Sequence, residues 1–218
     1  MNPIRCAVIG VGYLGRFHAQ KIQALQQAKL VAVCDRNADI CEATSNEFEV
    51  PGYRDHRELF GLVDAVCIAA TTNAHYAIAK DCLEAGLHVL IEKPITETVQ
   101  QAEELIALAK KHQVKLKVGH MERFNAARLA LDDYLEKPLF IESNRLAPYN
   151  PRGTDVNVVL DLMIHDIDLI QTMVKSPIKS LDAHGAPVLS PSVDIANARI
   201  TFENNCIANV TASRVSFK

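Results

Sequence analysis

Short apolar runs that close on glycine or on a charged residue alternate with stretches of helical spacing through the first half of the chain. IRCAVIG (4–10), KLVAVCD (29–35), DAVCIAA (64–70), HVLIEKP (88–94) and VKLKVG (114–119) are such runs. Each is short and mostly apolar, the pattern of strands buried on both faces. Between them, residues 13–26, 37–48, 74–85 and 98–112 carry helical spacing, as in Leu14, Phe17, Ile22 and Leu25. Strands alternating with helices predict βαβ units and a parallel sheet.

Near residue 120 the rhythm changes. The pattern predicts a helix over 125–136, then FIESNRLAPY (140–149), a Pro/Gly/Asn loop over 148–154 and a helix from about 156 to 174. After Pro177, residues 179–188, 193–203 and 206–216 read as strands, with ENN (203–205) as a hairpin turn. Consecutive strands predict an antiparallel sheet. The expected fold class is therefore α/β: a Rossmann domain over 1–120, then an α+β domain with an open, mainly antiparallel sheet over 121–218. The last strand runs to the end of the chain. It is expected to leave an open edge, through truncation of the sequence or in wait for another subunit.

Composition narrows the class. Hydrophobic residues make up 49%, charged residues 22%, and the net charge is −3. That balance argues against an electrostatic nucleic-acid binder. Six cysteines occur without a C-x-x-C pair, and Cys6, Cys34 and Cys67 fall inside apolar runs. Disulfides are not expected, and a reducing cytoplasm is. No secretion signal opens the sequence, and no run approaches the ~18 apolar residues of a membrane span.

VIGVGYLGRFH (8–18) places Gly10, Gly12 and Gly15 directly after the first strand, and Asp35 ends the second. Strand, glycine loop, helix and acid form a dinucleotide-binding pattern. Gly10 permits the turn, Gly12 the approach of a pyrophosphate, and Gly15 close helix–strand packing. Tyr13 and Leu14 open the helix whose N-terminus faces the phosphates. Asp35 suits the ribose hydroxyls and repels a 2′-phosphate, so NAD is expected. Arg36 keeps NADP open as the alternative.

Ligands of such sheets lie outside the strand C-termini. Thr71, Asn73 and His75 follow one strand, and Glu92 and Lys93 end another. All five are candidate cofactor contacts, although His75 could equally cap its helix. Lys93, held by Pro94, also suits stabilisation of a developing alkoxide.

LDLMIHDIDL (160–169) poses a puzzle. Asp161, His165 and Asp168 share one face of a helix that is otherwise apolar nearly all round. An imidazole is a natural general base near neutrality, and a carboxylate one turn away can orient it. Zinc would need a third ligand that no motif supplies, so no metal is expected. Arg123, Tyr149, Arg152 and Asn157 flank this helix as candidate substrate contacts, the arginines suited to a phosphate.

Together GVGYLGRFH, TTNAH, IEKP, GHMERFN and DLMIHDID resemble the Gfo/Idh/MocA oxidoreductase family, in order along essentially the whole chain. The resemblance implies that Lys93, Asp161 and His165 form the catalytic set of a dehydrogenase acting on CH–OH groups. It implies association as a homodimer or homotetramer through the face of the second sheet. ERFN, RLAPYNPRGTDV and DLMIHDIDLI look like the branch that oxidises the 3-hydroxyl of UDP-N-acetylglucosamine. A polyol or inositol dehydrogenase and a non-catalytic NAD-binding regulator are the rival readings. Thr72 stands where the family often has proline, and family members usually run roughly a hundred residues longer.

Overall fold

The computed structural model describes residues 2–131, 134–150 and 156–216. The chain divides into two compact units, Met1–Gly119 and His120–Lys218.

The first unit runs β1 (Ile4–Ile9), α1 (Tyr13–Gln23), β2 (Ala28–Cys34), α2 (Ala38–Phe48), β3 (Gly52–Tyr53), β4 (Ala65–Ile68), α3 (Thr72–Glu84), β5 (His88–Ile91), α4 (Val99–Lys111) and β6 (Leu116–Val118). All six strands are parallel, in the order β3-β2-β1-β4-β5-β6. The apolar runs are buried on both faces. Ala7, Ile9, Ala32, Cys34, Val66 and Ile68 face one core, and Val8, Val33 and Cys67 the other. All six cysteines are free, and burial pushes the Cys34, Cys67 and Cys82 thiols up to about 12. They act as small apolar side chains. The chain order reverses beside β1, where β2 and β4 leave on opposite sides, and a crevice opens there at the strand C-termini.

The second unit begins with a single 3-10 turn (Met121–Phe124) and the short helix α5 (Ala126–Ala130), shorter than periodicity suggests. Then follow β7 (Phe140–Leu146), a π-helical turn (Val159–Met163), α6 (Ile164–Val174), β8 (Ile178–Ala186), β9 (Ile195–Phe202) and β10 (Ile207–Ser213). The sheet order is β7-β10-β9-β8. Its β8–β9 and β9–β10 pairs are antiparallel, and β10–β7 is parallel. The final strand is thus interior, which corrects the expectation of an open edge there; β7 and β8 are the outer strands. One face of the sheet is covered. Val158, Met163, Ile170 and Val174 pack on Ala196, Ala198 and Ile200 of β9 and Ala208, Val210 and Ala212 of β10. The alanines let the helix backbone lie close to the sheet. Among the described residues no helix is long and apolar enough to cross a membrane.

Candidate functional site

In the first unit, the glycine loop has the geometry its spacing predicts. Gly10 has φ +83°, and a Cβ there would lie 2.5 Å from the Ala70 nitrogen. A Cβ on Gly15 would lie 1.8 Å from the Gly10 carbonyl oxygen. Gly12 differs, because a Cβ would meet no heavy atom within 4 Å. Among the described residues nothing crowds that point, and the space above it suits a pyrophosphate. Gly12 is also the N-cap of α1 and offers no side-chain acceptor, so the first-turn N–H groups of Tyr13 and Leu14 face a position suited to an anion.

Asp35 ties β2 to this loop. Its Oδ2 accepts from the Val11 N–H at 2.9 Å and its Oδ1 from the Asn37 N–H at 2.9 Å. A groove of about 610 Å³ runs past Gly10, Gly12, Asp35, Arg36, Thr71 and Asn73. Thr71 Oγ1 donates to Asn73 Oδ1 at 2.7 Å. Arg54 and His56 line the same groove, and Arg54 Nη2 donates to the Arg36 carbonyl at 2.9 Å. Sequence reasoning missed both residues, which follow a strand of two residues where no periodicity is readable.

Two cofactor candidates are buried and bonded within the unit. His75 is 1% exposed, with Nδ1 2.9 Å from the Pro94 carbonyl and Nε2 3.0 Å from the Ala70 carbonyl. Both ring nitrogens face internal carbonyls, either of which can accept the ring N–H, and His75 thus lies between the ends of β4 and β5. Glu92 is 8% exposed. Its Oε1 lies 2.6 Å from His18 Nε2, and its Oε2 accepts from the Lys93 N–H at 3.2 Å. Burial pushes the Glu92 carboxyl up, but the His18 and Lys93 hydrogen bonds outweigh it and hold the group below its ordinary value. Glu92 thus links α1 to the backbone of half-buried Lys93, whose peptide to Pro94 is cis. His18 was unmarked in the sequence, although it stands three residues past Gly15 within the glycine motif.

In the second unit, the helix expected from about residue 156 is not α-helical at its start. Residues Val159–Met163, including Asp161, form a π-turn, and the α-helix begins at Ile164. Single π-turns inside helices frequently mark functional sites. Asp161 and His165 are half-buried, while Met163, Asp166, Ile170 and Val174 point into the core. Asp166 meets the Arg145 guanidinium through two bonds of 2.7 and 3.0 Å.

Two of the four substrate candidates have partners within the unit. Arg123 donates to both oxygens of Asp168, at 2.7 and 2.5 Å, and His120 Nε2 lies 3.8 Å from the same carboxylate. The hydrogen bond to Asp168 pushes the Arg123 guanidinium up, and the pair anchors the 3-10 turn to α6. Arg123 is therefore engaged by a carboxylate, and Asp168, the third member of the polar stripe, is its partner. Asn157 Oδ1 accepts from the Val159 and Leu160 N–H groups at 3.1 Å, so Asn157 caps the helix. Tyr149 is 39% exposed beyond β7, and Arg152 lies outside the described residues.

A family model described as an oxidoreductase family with an NAD-binding Rossmann fold matches residues 4–120. The model for the GFO/IDH/MocA C-terminal domain matches residues 128–218. The UDP-N-acetylglucosamine 3-dehydrogenase of Acidithiobacillus ferrooxidans is 38% identical over 220 residues, 99% of this chain and 68% of that protein. Its crystallised form superposes with a TM-score of 0.92, covering 100% of this chain and 72% of that one. Scyllo-inositol dehydrogenase from Lactobacillus casei, solved with NAD(H) and scyllo-inositol, is 25% identical with a TM-score of 0.84, covering 99% of this chain and 71% of that one.

Proposed function

The chain belongs to the Gfo/Idh/MocA oxidoreductase family, and from that premise we propose that it is an NAD-dependent dehydrogenase of the 3-hydroxyl of a UDP-N-acetyl sugar. One observation carries the reading most. An acid–imidazole pair, Asp161 in the π-turn and His165 in the first turn of α6, lies in a chain 38% identical to a UDP-N-acetylglucosamine 3-dehydrogenase.

Residues 1–120 take the cofactor and residues 121–218 carry the helix that meets the substrate. Gly10, Gly12, Gly15 and the α1 N-terminus hold the pyrophosphate, Asp35 the adenosine ribose, and Thr71 and Asn73 the far side of the groove. Bound NAD supplies the acceptor for the hydride. His165 takes the hydroxyl proton as general base. Asp161 orients the imidazole and favours its protonated form. The Lys93 ammonium stabilises the negative charge that grows on the reacting oxygen.

The engagement of Arg123 by Asp168 removes one phosphate ligand from the second unit and favours a second reading, a polyol of the inositol type. The deciding assay incubates the protein with NAD and either UDP-N-acetylglucosamine or a panel of inositols. NADH formation with the nucleotide sugar alone is expected. Turnover of inositols alone would establish the polyol reading, and no turnover with either would leave a non-catalytic NAD-binding regulator.

The protein works in the cytoplasm, consistent with six free cysteines, five of them buried. It forms a homodimer or homotetramer through the sheet face turned away from α6. That face exposes Phe140, Leu146 and Ile195 around a polar row of Glu142, Asn209, Arg199 and Asp182 in register across four strands. An exposed apolar rim around polar groups is a common association surface.

A further inference from the structure

The second unit contains a buried ion pair that the proposed chemistry does not use. Asp194 is 0% exposed and Arg214 3%. Asp194 Oδ2 accepts from three consecutive backbone N–H groups, Val188, Leu189 and Ser190, at 2.7–2.8 Å. Its Oδ1 accepts from Ser190 Oγ at 2.7 Å and Arg214 Nε at 2.8 Å. The guanidinium also donates from Nη2 to Ser190 Oγ at 3.1 Å and Ser192 Oγ at 2.6 Å, and from Nη1 to the Val156 carbonyl at 2.9 Å.

That last bond connects the pair to the helix. Val156 and Asn157 are the residues from which the helix starts. The Val158 N–H donates to the Val193 carbonyl at 2.9 Å, and the Arg214 N–H to the Asp194 carbonyl at 3.0 Å. One carbonyl and one N–H at the helix entry are thus held by the β8–β9 loop and the end of β10. The π-turn begins at the next residue, Val159. Desolvating two charges is costly, and a well-packed apolar pair often serves stability as well or better. What the ion pair adds is direction: the planar guanidinium fork fixes Val156 relative to two strands at once.

We infer that Arg214, locked by Asp194, is a positioning residue: by holding the Val156 carbonyl it fixes where the π-turn begins and so sets Asp161 against His165. The inference rests on the reading of Asp161 and His165 as the proton-transfer pair. It assigns to a residue about fifty positions downstream the geometry that an i, i+4 spacing alone does not set, because a π-turn advances the chain through i→i+5 bonds.

Arg214→Lys tests it. The variant keeps a cation opposite Asp194, but one ammonium cannot reach Val156, Ser190, Ser192 and Asp194 together. Turnover per folded molecule should fall about 10²-fold, the usual effect of a misplacement near 1 Å, while the NAD dissociation constant stays within about twofold. The His165 ring titration, followed by NMR in the absence of substrate, should move from its wild-type midpoint. A purely structural role predicts a lower melting temperature with an unchanged His165 titration and unchanged turnover per folded molecule, and that result overturns the inference. If Arg214→Lys does not fold, Ser192→Ala removes one guanidinium acceptor and leaves the ion pair. It should shift the same titration and lower turnover several-fold, and identity with wild type on both counts is equally fatal. Should the wild-type protein oxidise no sugar or polyol, the proposed function fails, yet the titration arm still decides whether Arg214 sets the pair.

Discussion

His165 and Glu92 show how environment assigns work to ionisable side chains. His165→Ala should lower turnover by about 10²–10⁴-fold, the range for loss of a general base. NAD binding should be nearly unchanged, because the glycine groove is built entirely from the first unit. Equilibrium titration with NAD, alongside steady-state assays, separates the two, and near-normal turnover would remove His165 as the base. Glu92 bears on stability instead. Its folded carboxyl lies below the ordinary value of 4.5, so it binds protons less readily folded than unfolded. Its contribution is therefore complete above about pH 4.5 and is lost as pH falls through the depressed folded value. Glu92→Gln should flatten the acid limb of the stability curve, measured by urea unfolding between about pH 6 and 3. A limb as steep as wild type would show that the His18–Glu92 bond has no differential effect on the two protonation states.

At the level of elements, backbone conformation and charge give a separate handle. Helix α2 ends at Glu49, which adopts the left-handed conformation at φ 54° and places a carboxylate where the helix dipole is negative. Only glycine occupies that conformation without cost. Glu49→Gly should stabilise the protein by about 1 kcal/mol, read as a higher urea midpoint at unchanged slope; a lower midpoint would mean that Glu49 makes a compensating contact. The same physics explains which elements were legible. The longer parallel strands were readable because burial on both faces demands continuous apolar residues, and glycine and acids punctuate them. Asn157 could also have been read as a cap, since it precedes an apolar helical run. Strand β3 could not, because two residues carry no period. Nor could the π-turn, whose start is held by Val193 in the β8–β9 loop and Arg214 at the end of β10. The pairing of Arg123 with Asp168 spans 45 positions and leaves no trace in local spacing, which is why Arg123 reads in the sequence as a phosphate ligand.

For the whole molecule, the decisive feature is that each unit buries its own core, so a ligand that contacts one unit should act through that unit's unfolding equilibrium. NAD at 100 times its dissociation constant contributes about 2.7 kcal/mol of linkage free energy to the state that binds it. Amides of β1, β2 and β4, which carry the glycine loop, Asp35 and the Thr71 turn at their ends, exchange by opening of the unit that forms the groove. Their hydrogen exchange should slow by up to about 100-fold when NAD is added, and the slowing should follow the binding isotherm. A 2′-phosphorylated cofactor at the same concentration should protect them less. Asp35 stands at the groove, and its like charge is unfavourable to that phosphate, although the two guanidiniums of Arg36 and Arg54 moderate the difference. Equal protection by both cofactors would transfer control of cofactor choice from Asp35 to those arginines. Protection of β9 and β10 with none in β1, β2 and β4 would locate the dinucleotide away from the glycine loop, and the reading of the groove would fall with it.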